Sequence, residues 1–259
     1  MLPCFNRAVS VPIGVSGALF AGAILVLSGC TTMSSSPNTR ARLDAEGIRK
    51  VIESPIRTDQ DRRMDASRRP AELLTLMQVG PGMTVLDVAA GGGYTSQLLA
   101  LAVGPNGKLW AQREQPGAAL TKRLADQPQA NLVVVLRPYE NPVPADAPKL
   151  DLVTLILNYH DITYQPVDRA KMNQSIFDAL KPGGHYVLID HAANAGADIS
   201  SGKALHRIDP AIVIAEAQNA GFVLEARSDA WRDPADTRER SSGDSSNPSD
   251  KFALRFIKR

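Results

Sequence analysis

A glycine turn between an apolar segment and a helical pattern is the feature that most constrains this fold. The sequence from Val85 to Ala100 reads VLDVAAGGGYTSQLLA, and its first four residues are apolar enough for an inner parallel strand. Gly91 to Gly93 allow the backbone to turn sharply and to approach a ligand closely. The helix predicted to begin near Tyr94 directs free N–H groups and a positive dipole end at the turn. The segment therefore predicts a binding site for a small anionic group.

Two common nucleotide-binding motifs can be compared with this turn. A phosphate-binding P-loop ends in Gly-Lys-Ser/Thr, but YTS follows the last glycine, which excludes it. A dinucleotide fingerprint reads G-x-G-x-x-G, and Gly91, Gly93 and Ser96 approximate it. Glu114 lies about 20 residues further on, as the ribose-binding acid of that motif does. The dinucleotide interpretation stays open, as does a turn that binds no ligand.

Strand and helix patterns alternate along the chain. Patterns typical of strands run from Thr84 to Val88, Lys108 to Gln112, Asn131 to Leu136, Asp151 to Leu157, His185 to Asp190, Phe222 to Arg227 and Lys251 to Ile257. Helical patterns occupy Thr95 to Ala102, Ala118 to Ala125, Arg169 to Leu180 and Pro210 to Asn219. This alternation predicts an α/β, Rossmann-like fold with a seven-stranded, mostly parallel sheet and helices on both faces. The last strand is expected to be antiparallel.

The first 29 residues have the pattern of a lipoprotein signal peptide. Arg7 provides a positive start, an uncharged apolar run extends from Val11 to Leu27, and Leu-Ser-Gly precedes Cys30. We expect cleavage before Cys30 and a diacylglycerol on its thiol. Because Thr31 is not an acidic retention signal, the expected location is the periplasmic face of the outer membrane. An uncleaved anchor is the alternative, although the run is short for a membrane span.

Composition predicts one ordinary globular domain after this leader. Residues 30–39 form a predicted flexible tether, residues 40–69 an N-terminal helical segment dense in charged side chains, and residues 70–259 the main domain. The polar stretch from Asp233 to Asp250 is expected to be a mobile connection outside the core. A net charge of +2, with five Tyr and two Trp, gives no indication of nucleic-acid binding.

The order of motifs resembles that of class I S-adenosylmethionine (SAM)-dependent methyltransferases over roughly residues 70–259. In that family, an acidic residue at the end of the first strand precedes alternate small residues, and this chain has Asp87, Ala89, Gly91 and Gly93. The LKPGG segment that leads into a later strand is a second match. RRPAELL upstream and LHRID downstream are similar to a bacterial group of exported predicted methyltransferases.

The resemblance implies that SAM is the cofactor. Asp87, Ala89, Gly91 and Gly93 would enclose its methionine and ribose parts, with Tyr94 at the start of the following helix.

The ribose and adenine positions are also implied by the resemblance. The family usually has an acid at the end of the second strand, where this chain has Arg113. Arginine cannot accept the ribose hydrogen bonds, so Glu114 is expected to accept them instead. Tyr139 or Glu140 would lie near the adenine amine, with an ordinary surface loop as the alternative.

Candidate catalytic residues follow the fourth predicted strand. Asn158 is expected to face the cofactor crevice at the end of that strand. His160 is predicted as a general base for an acceptor that carries a proton, and Asp161 as the group that orients it. Asp190 and His191 form a second candidate pair on the same edge. A structural, hydrogen-bonded histidine is the alternative to a catalytic one.

Three other roles can be considered for polar residues: metal binding, helix capping and binding of the cofactor carboxylate. A metal held by His160, Asp161, Asp190 and His191 is conceivable, since they follow two strand ends on one edge. No close ligand spacing such as H-x-x-x-H is present, so no metal site is predicted. His206 is expected to help cap the helix that begins at Pro210. Asp65, Arg68 and Arg69 could close over the cofactor carboxylate, with solvated ion pairs as the alternative.

The expected function is therefore SAM-dependent methyl transfer to a small molecule or an envelope component, by a chain anchored through lipid on Cys30. A binding module that keeps the fold but has lost methyl transfer is the first alternative, and Arg113 favours it. A NAD-dependent oxidoreductase is the third possibility. We expect a monomer.

Overall fold

A seven-stranded sheet runs through residues 41–244 and 249–259, the part of the protein that the computed structural model describes. Its strands are β1 Thr84–Val88, β2 Lys108–Arg113, β3 Leu132–Leu136, β4 Leu150–Ile156, β5 Leu180–His191, β6 Val223–Ser228 and β7 Lys251–Ile257. Their order across the sheet is β3-β2-β1-β4-β5-β7-β6. All neighbouring pairs are parallel except those that β7 forms with β5 and β6. The predicted fold class is confirmed.

Nine helices surround the sheet in the described residues. They are α1 Ala45–Ile52, α2 Asp59–Arg68, α3 Pro70–Met77, α4 Tyr94–Val103, α5 Ala118–Asp126, α6 Tyr159–Ile162, α7 Arg169–Ala179, α8 Ser201–Leu205 and α9 Pro210–Asn219. None of these helices is long and apolar enough to span a membrane. The predicted signal peptide, the lipid site at Cys30 and the tether lie outside the described residues.

Two apolar clusters cover the two faces of the sheet. Neighbouring residues of β1 belong to different clusters, Val85 to one and Leu86 to the other, because side chains alternate along a strand. The first cluster contains residues of α1, α3, α4 and α5, and the second contains residues of α6, α7 and α9. Burial of β1 on both faces explains why its sequence is a continuous apolar run interrupted only by Asp87.

The LKPGG segment forms a bulge rather than a simple turn before a strand. Leu180 pairs with Leu150 of β4, and the next pair joins His185 to Leu152. The four residues between Leu180 and His185 therefore oppose a single residue of β4, and Gly183 adopts φ +78° among them. The bulge brings the end of α7 directly into the sheet.

The polar stretch from Asp233 to Asp250 differs from our expectation. Asp250 is fully buried and accepts hydrogen bonds from Arg232 and Arg238. Asp236 forms an ion pair of 2.8 Å with the buried side chain of Arg207. The prediction that this stretch lies outside the core is wrong for these residues, because paired charges satisfy one another on burial.

Candidate functional site

A cavity of about 590 Å³ lies at the carboxyl end of β1, beneath α2. The glycine turn forms its floor, and Ile156, Leu157 and Asn158 at the end of β4 form one wall. Residues of α5 complete the opposite side. In this strand order the connections leave β1 and β4 in opposite directions, which makes the gap between them a topological switch point where such sheets bind ligands.

The backbone of the glycine turn is held in an unusual conformation. Ala89, Gly91 and Gly93 all have positive φ, at +56°, +54° and +84°. This conformation is strained at Ala89, because a Cβ lies too close to the following carbonyl oxygen when φ is positive. Its N–H donates to the side-chain oxygen of the buried Gln112 at 2.9 Å, and the N–H of Ala90 donates to the Gln112 carbonyl. The neighbouring strand β2 therefore fixes the turn.

Asp87 is a buried carboxylate in the cavity wall. It accepts hydrogen bonds from the hydroxyl groups of Ser96, at 2.5 Å, and Thr154, at 2.7 Å. Burial raises the pKa of Asp87 to about 6, although the two hydroxyl donors favour its charged form. Both donors come from neighbouring elements, α4 and β4, so the carboxylate keeps a fixed position at the cavity.

Two arginines bind the carbonyl groups of the glycine turn. Arg113, at the end of β2, donates to the carbonyl of Gly91, and Arg123 on α5 donates to the carbonyl of Gly92 at 2.8 Å. Arg123 also forms a two-point ion pair with Asp61 on α2, at 2.7 and 2.8 Å. The sequence contains no motif that singles out Arg123, because its role depends on α2 and α5 meeting above the turn.

A second set of polar contacts ties α2 to Tyr94. The Tyr94 hydroxyl donates to Asp65 at 2.6 Å, and the buried Arg57 forms an ion pair with the same carboxylate. Arg68 lies over the Tyr94 ring, 5.9 Å from its centroid, and faces the cavity. Among the described residues, no carboxylate lies within ion-pair distance of Arg68. Arg68 therefore does not form the solvated ion pair that we considered as the alternative to cofactor binding. Arg69 instead lies 3.7 Å from the exposed Glu72, outside the cavity wall.

The structure places five of the predicted cofactor residues in the cavity wall: Asp87, Ala89, Gly91, Tyr94 and Asn158. Gly93 caps α4 just behind the wall, where a Cβ would meet Leu120 at 2.6 Å.

Glu114 and Tyr139 lie away from this cavity wall. Glu114 is exposed beyond the end of β2, and its carboxylate is 3.4 Å from the backbone nitrogen of Tyr139. The Tyr139 hydroxyl donates to Asn158 at 3.2 Å. The side chain of Glu140 accepts a hydrogen bond from the backbone of Asp168. The ribose and adenine assignments stay predictions.

His160 is buried between two carboxylates. Its Nδ1 lies 2.6 Å from Asp190, and its Nε2 lies 3.3 Å from Asp161. Burial alone would lower the pKa of His160, but the two carboxylates outweigh it and raise the pKa to about 9. This raised pKa differs from the near-neutral value that we expected for His160, because both carboxylates stabilise the charged ring.

The other histidines also have partners that the sequence did not reveal. The His191 ring contacts Ser249 at 2.6 Å, so Asp190 pairs with the ring of His160 rather than with that of His191. Burial lowers the pKa of His191 to about 3. Asp209 caps α9 by accepting from the N–H of Ala211, whereas His206 does not contribute to that cap.

Comparison with known proteins gives similarity in structure only. No protein-family model matches the chain, and no curated protein matches it in sequence. A SAM-dependent methyltransferase from Aquifex aeolicus is 18% identical, with a TM-score of 0.57, over 84% of this chain and 100% of that one. A precorrin-6y C5,15-methyltransferase from Geobacter metallireducens is 15% identical, with a TM-score of 0.51, over 80% and 92%.

A third solved structure is similar to the chain in fold at low sequence identity. A protein from Galdieria sulphuraria, assigned as a sarcosine dimethylglycine methyltransferase, is 16% identical, with a TM-score of 0.57, over 80% of this chain and 91% of that one. These likenesses extend over at least 80% of this chain and at least 91% of each of the three other chains. The chain has the Rossmann-like fold of class I SAM-dependent methyltransferases.

Proposed function

We propose that this protein is a SAM-dependent methyltransferase that acts at the cell envelope, where a lipid on Cys30 anchors it. The observation that carries the enzymatic part is the cavity beneath α2, which combines a glycine turn, a buried carboxylate and an arginine without an acidic partner among the described residues. SAM carries a carboxylate, an ammonium and a sulfonium on its methionine part. The cavity offers groups of complementary charge.

Arg68 is the residue that we assign to the cofactor carboxylate. Arg68 lines the cavity, and its guanidinium lies over the Tyr94 ring, 5.9 Å from the centroid, within reach of a cation–π attraction. The other cationic side chains of the wall are engaged, since Arg123 pairs with Asp61 and Lys122 with Asp126. A guanidinium binds a carboxylate through two parallel hydrogen bonds, which fixes orientation as well as position.

Asp87 is the residue that we assign to the cationic part of the methionine group. Its carboxylate faces the same cavity and is held by Ser96 and Thr154. Opposite charges on Arg68 and Asp87 would orient the zwitterion in one direction only. The methyl group would then point toward a defined part of the crevice.

Asn158 is a candidate positioning residue for the acceptor. SAM supplies a methyl group on a sulfonium, and an acceptor lone pair displaces it in line while the carbon–sulfur bond breaks. Such a displacement depends chiefly on the alignment of the two partners. Asn158 lies in the cavity wall and is held by Tyr139 and by Asp161, to which it donates at 3.3 Å. Because two carboxylates raise the pKa of His160, we assign the transfer to alignment of the acceptor at Asn158 rather than to a base.

The second candidate function is a binding module with the methyltransferase fold. The position of Arg113 favours it, because this guanidinium binds the Gly91 carbonyl at the strand end where a ribose-binding acid is expected. Such a module would bind SAM or a related nucleoside without transferring the methyl group.

Calorimetric titration of the full-length chain in detergent with SAM, S-adenosylhomocysteine and NAD tests these proposals. We expect binding of the first two, and failure to bind both would refute the methyltransferase proposal. Arg68→Gln should weaken SAM binding by about 10- to 100-fold, since a charged hydrogen-bonded pair contributes about 1.5–3 kcal/mol. Arg63→Gln is the matched control, because Arg63 lies on the same helix and contacts only Gln60 among the described residues.

A transfer assay distinguishes the enzyme from the binding module. Labelled SAM is incubated with the protein and envelope extracts, and methylated products are separated. Binding of SAM together with transfer of label supports the enzyme. Binding without transfer to any fraction supports the module.

A further inference from the structure

Three potential metal ligands converge beside α6, outside the cofactor cavity. His160 and Asp161 belong to α6, and His206 immediately follows α8. The Asp161 carboxylate lies 3.3 Å from Nε2 of His160 and 3.1 Å from Nδ1 of His206. One ligand atom from each residue lies within 4.8 Å of the others. The two histidines are 46 residues apart in sequence, which is why no motif announces this cluster.

The distances suit the coordination sphere of a transition metal. Zinc lies about 2.0–2.1 Å from histidine nitrogen and about 2.0–2.2 Å from carboxylate oxygen. Two ligand atoms at that radius are separated by about 3.0 Å in octahedral geometry and about 3.4 Å in tetrahedral geometry. The separations of 3.1 and 3.3 Å around Asp161 fall in this range.

A second carboxylate orients the buried histidine. Asp190 is fully buried and lies 2.6 Å from Nδ1 of His160. Its other oxygen accepts from the backbone N–H of His160 at 2.8 Å. Nε2 of the ring is thereby directed at the Asp161 carboxylate. Metal-binding histidines usually have such a carboxylate partner on the nitrogen that does not bind the metal.

The cluster is open to solvent on one side. The side chain of His206 is 46% exposed and that of Asp161 is 27% exposed, whereas His160 is buried. His206 adopts φ +50° as the left-handed residue that ends α8, and this position directs its side chain toward α6. An ion could therefore enter from solvent and keep coordination positions free for water or another ligand.

We propose that His160, Asp161 and His206 bind a divalent first-row transition metal ion through two imidazole nitrogens and one carboxylate. Mg²⁺ and Ca²⁺ are excluded as the preferred ions, because both favour sites made entirely of oxygen ligands. The ion would take the place of the proton on Nε2 of His160, and it would join α6 to the residue that follows α8.

Zinc titration of the full-length chain tests this proposal without reference to enzymatic activity. An untagged chain in detergent is treated with EDTA, dialysed, and titrated calorimetrically with ZnCl₂. We expect one Zn²⁺ per chain, and a Co²⁺ complex with visible d–d absorption. His206→Ala should weaken Zn²⁺ binding by at least about 100-fold, because loss of a direct ligand exceeds the 10- to 100-fold effect of an outer partner. The exposed position of His206 should leave folding intact.

His185→Ala is the matched control. His185 contacts Glu225 at 3.1 Å, at the start of the continuous part of β5, and takes no part in the cluster. This variant should bind Zn²⁺ as tightly as the natural chain, within about twofold, whereas Asp190→Asn should weaken binding about 10- to 100-fold. Equal Zn²⁺ affinity of His206→Ala and the natural chain would overturn the proposal, as would equal affinity of the site for Mg²⁺.

Discussion

Arg123 binds Asp61 through two hydrogen bonds of 2.7 and 2.8 Å and, with a third nitrogen, the carbonyl of Gly92. One guanidinium therefore connects α2, α5 and the glycine turn. Asp61 is almost completely buried, so its charge depends on this partner. The helix that covers the cavity and the turn that forms its floor are held by the same side chain.

We predict that Asp61→Asn lowers the free energy of unfolding by about 2–4 kcal/mol, because it leaves the Arg123 charge without its buried partner. Urea unfolding measures this change. Asp126→Asn is the control, since it removes an exposed ion pair with Lys122 and should cost less than about 1 kcal/mol. Equal effects of the two substitutions would contradict the assigned importance of Asp61.

The same pair predicts a loss of stability in acid. Burial alone would raise the pKa of Asp61, but Arg123 and Thr58 lower it to about 2, below the value of 3.8 in an unfolded chain. The charged form therefore stabilises the folded state above pH 4, and this contribution, about 2 kcal/mol, is lost as the pH falls from about 4 to 2. Unfolding free energies measured through this range should fall less steeply for Asp61→Asn than for the natural chain.

SAM binding should weaken below about pH 6. The pKa of Asp87 is raised to about 6 by burial, so its carboxylate loses its charge below that pH. The ammonium of the ligand stays protonated there, and the lost attraction should reduce affinity by up to about tenfold per pH unit. Calorimetric titrations between pH 5 and pH 7.5 measure this change.

Ser96→Ala provides the companion variant for this measurement. It removes a donor that stabilises the charged form of Asp87, so the midpoint of the pH dependence should move upward. A SAM affinity that stays constant from pH 7.5 to pH 5 would contradict the assignment of Asp87 to the cationic part of the ligand.

Asp250→Ala should lower the free energy of unfolding by about 1–3 kcal/mol, because the backbone N–H of Asp233 and the partly buried Arg238 would lose their buried acceptor. Urea unfolding again provides the measurement. Asp229→Ala, at an exposed position nearby, is the control and should change stability by less than about 0.5 kcal/mol. A small effect at Asp250 would mean that the polar stretch is the loose connection that its composition suggests.

Cys30→Ala tests the proposed anchor. Without the thiol, no diacylglycerol can be attached, and two or more acyl chains are needed for stable membrane attachment. We expect the substituted protein to leave the membrane fraction or to accumulate with its leader uncleaved. Fractionation and intact-mass measurement distinguish the two, and a lipidated mass for Cys30→Ala would contradict the proposal.

Most helices and strands of the main domain could be predicted from local sequence. β1, β7 and α9 begin and end at the residues that we predicted. Their bounds could be predicted because the spacing of apolar residues along each segment reflects which of its own side chains are buried. The short helix α6 was missed, since four residues carry too little periodicity to distinguish a helix from a loop. The fold class could be predicted because the apolar patterns show strands and helices alternating along the chain.

The polar contacts of the site could be predicted only in part. Asp87 and the glycine turn were identified because the turn is contiguous in sequence. Arg123 was not identified and His206 was assigned to a helix cap, because each contacts a partner more than 40 residues away. The pKa of His160 was misjudged for the same reason, since Asp190 reaches it from a different strand.

The attachment of α2 has a consequence for how a ligand reaches the cavity. This helix is strongly polar, with the sequence DQDRRMDASR. Its Asp65 accepts from Tyr94, and its Asp61 is linked to the turn through Arg123. Lifting it would separate opposite charges and would also expose Met64, which packs against the first apolar cluster. Because Asp61 is buried, its ion pair with Arg123 is screened only weakly by salt, so the rate of ligand exchange should change little between dilute buffer and concentrated salt.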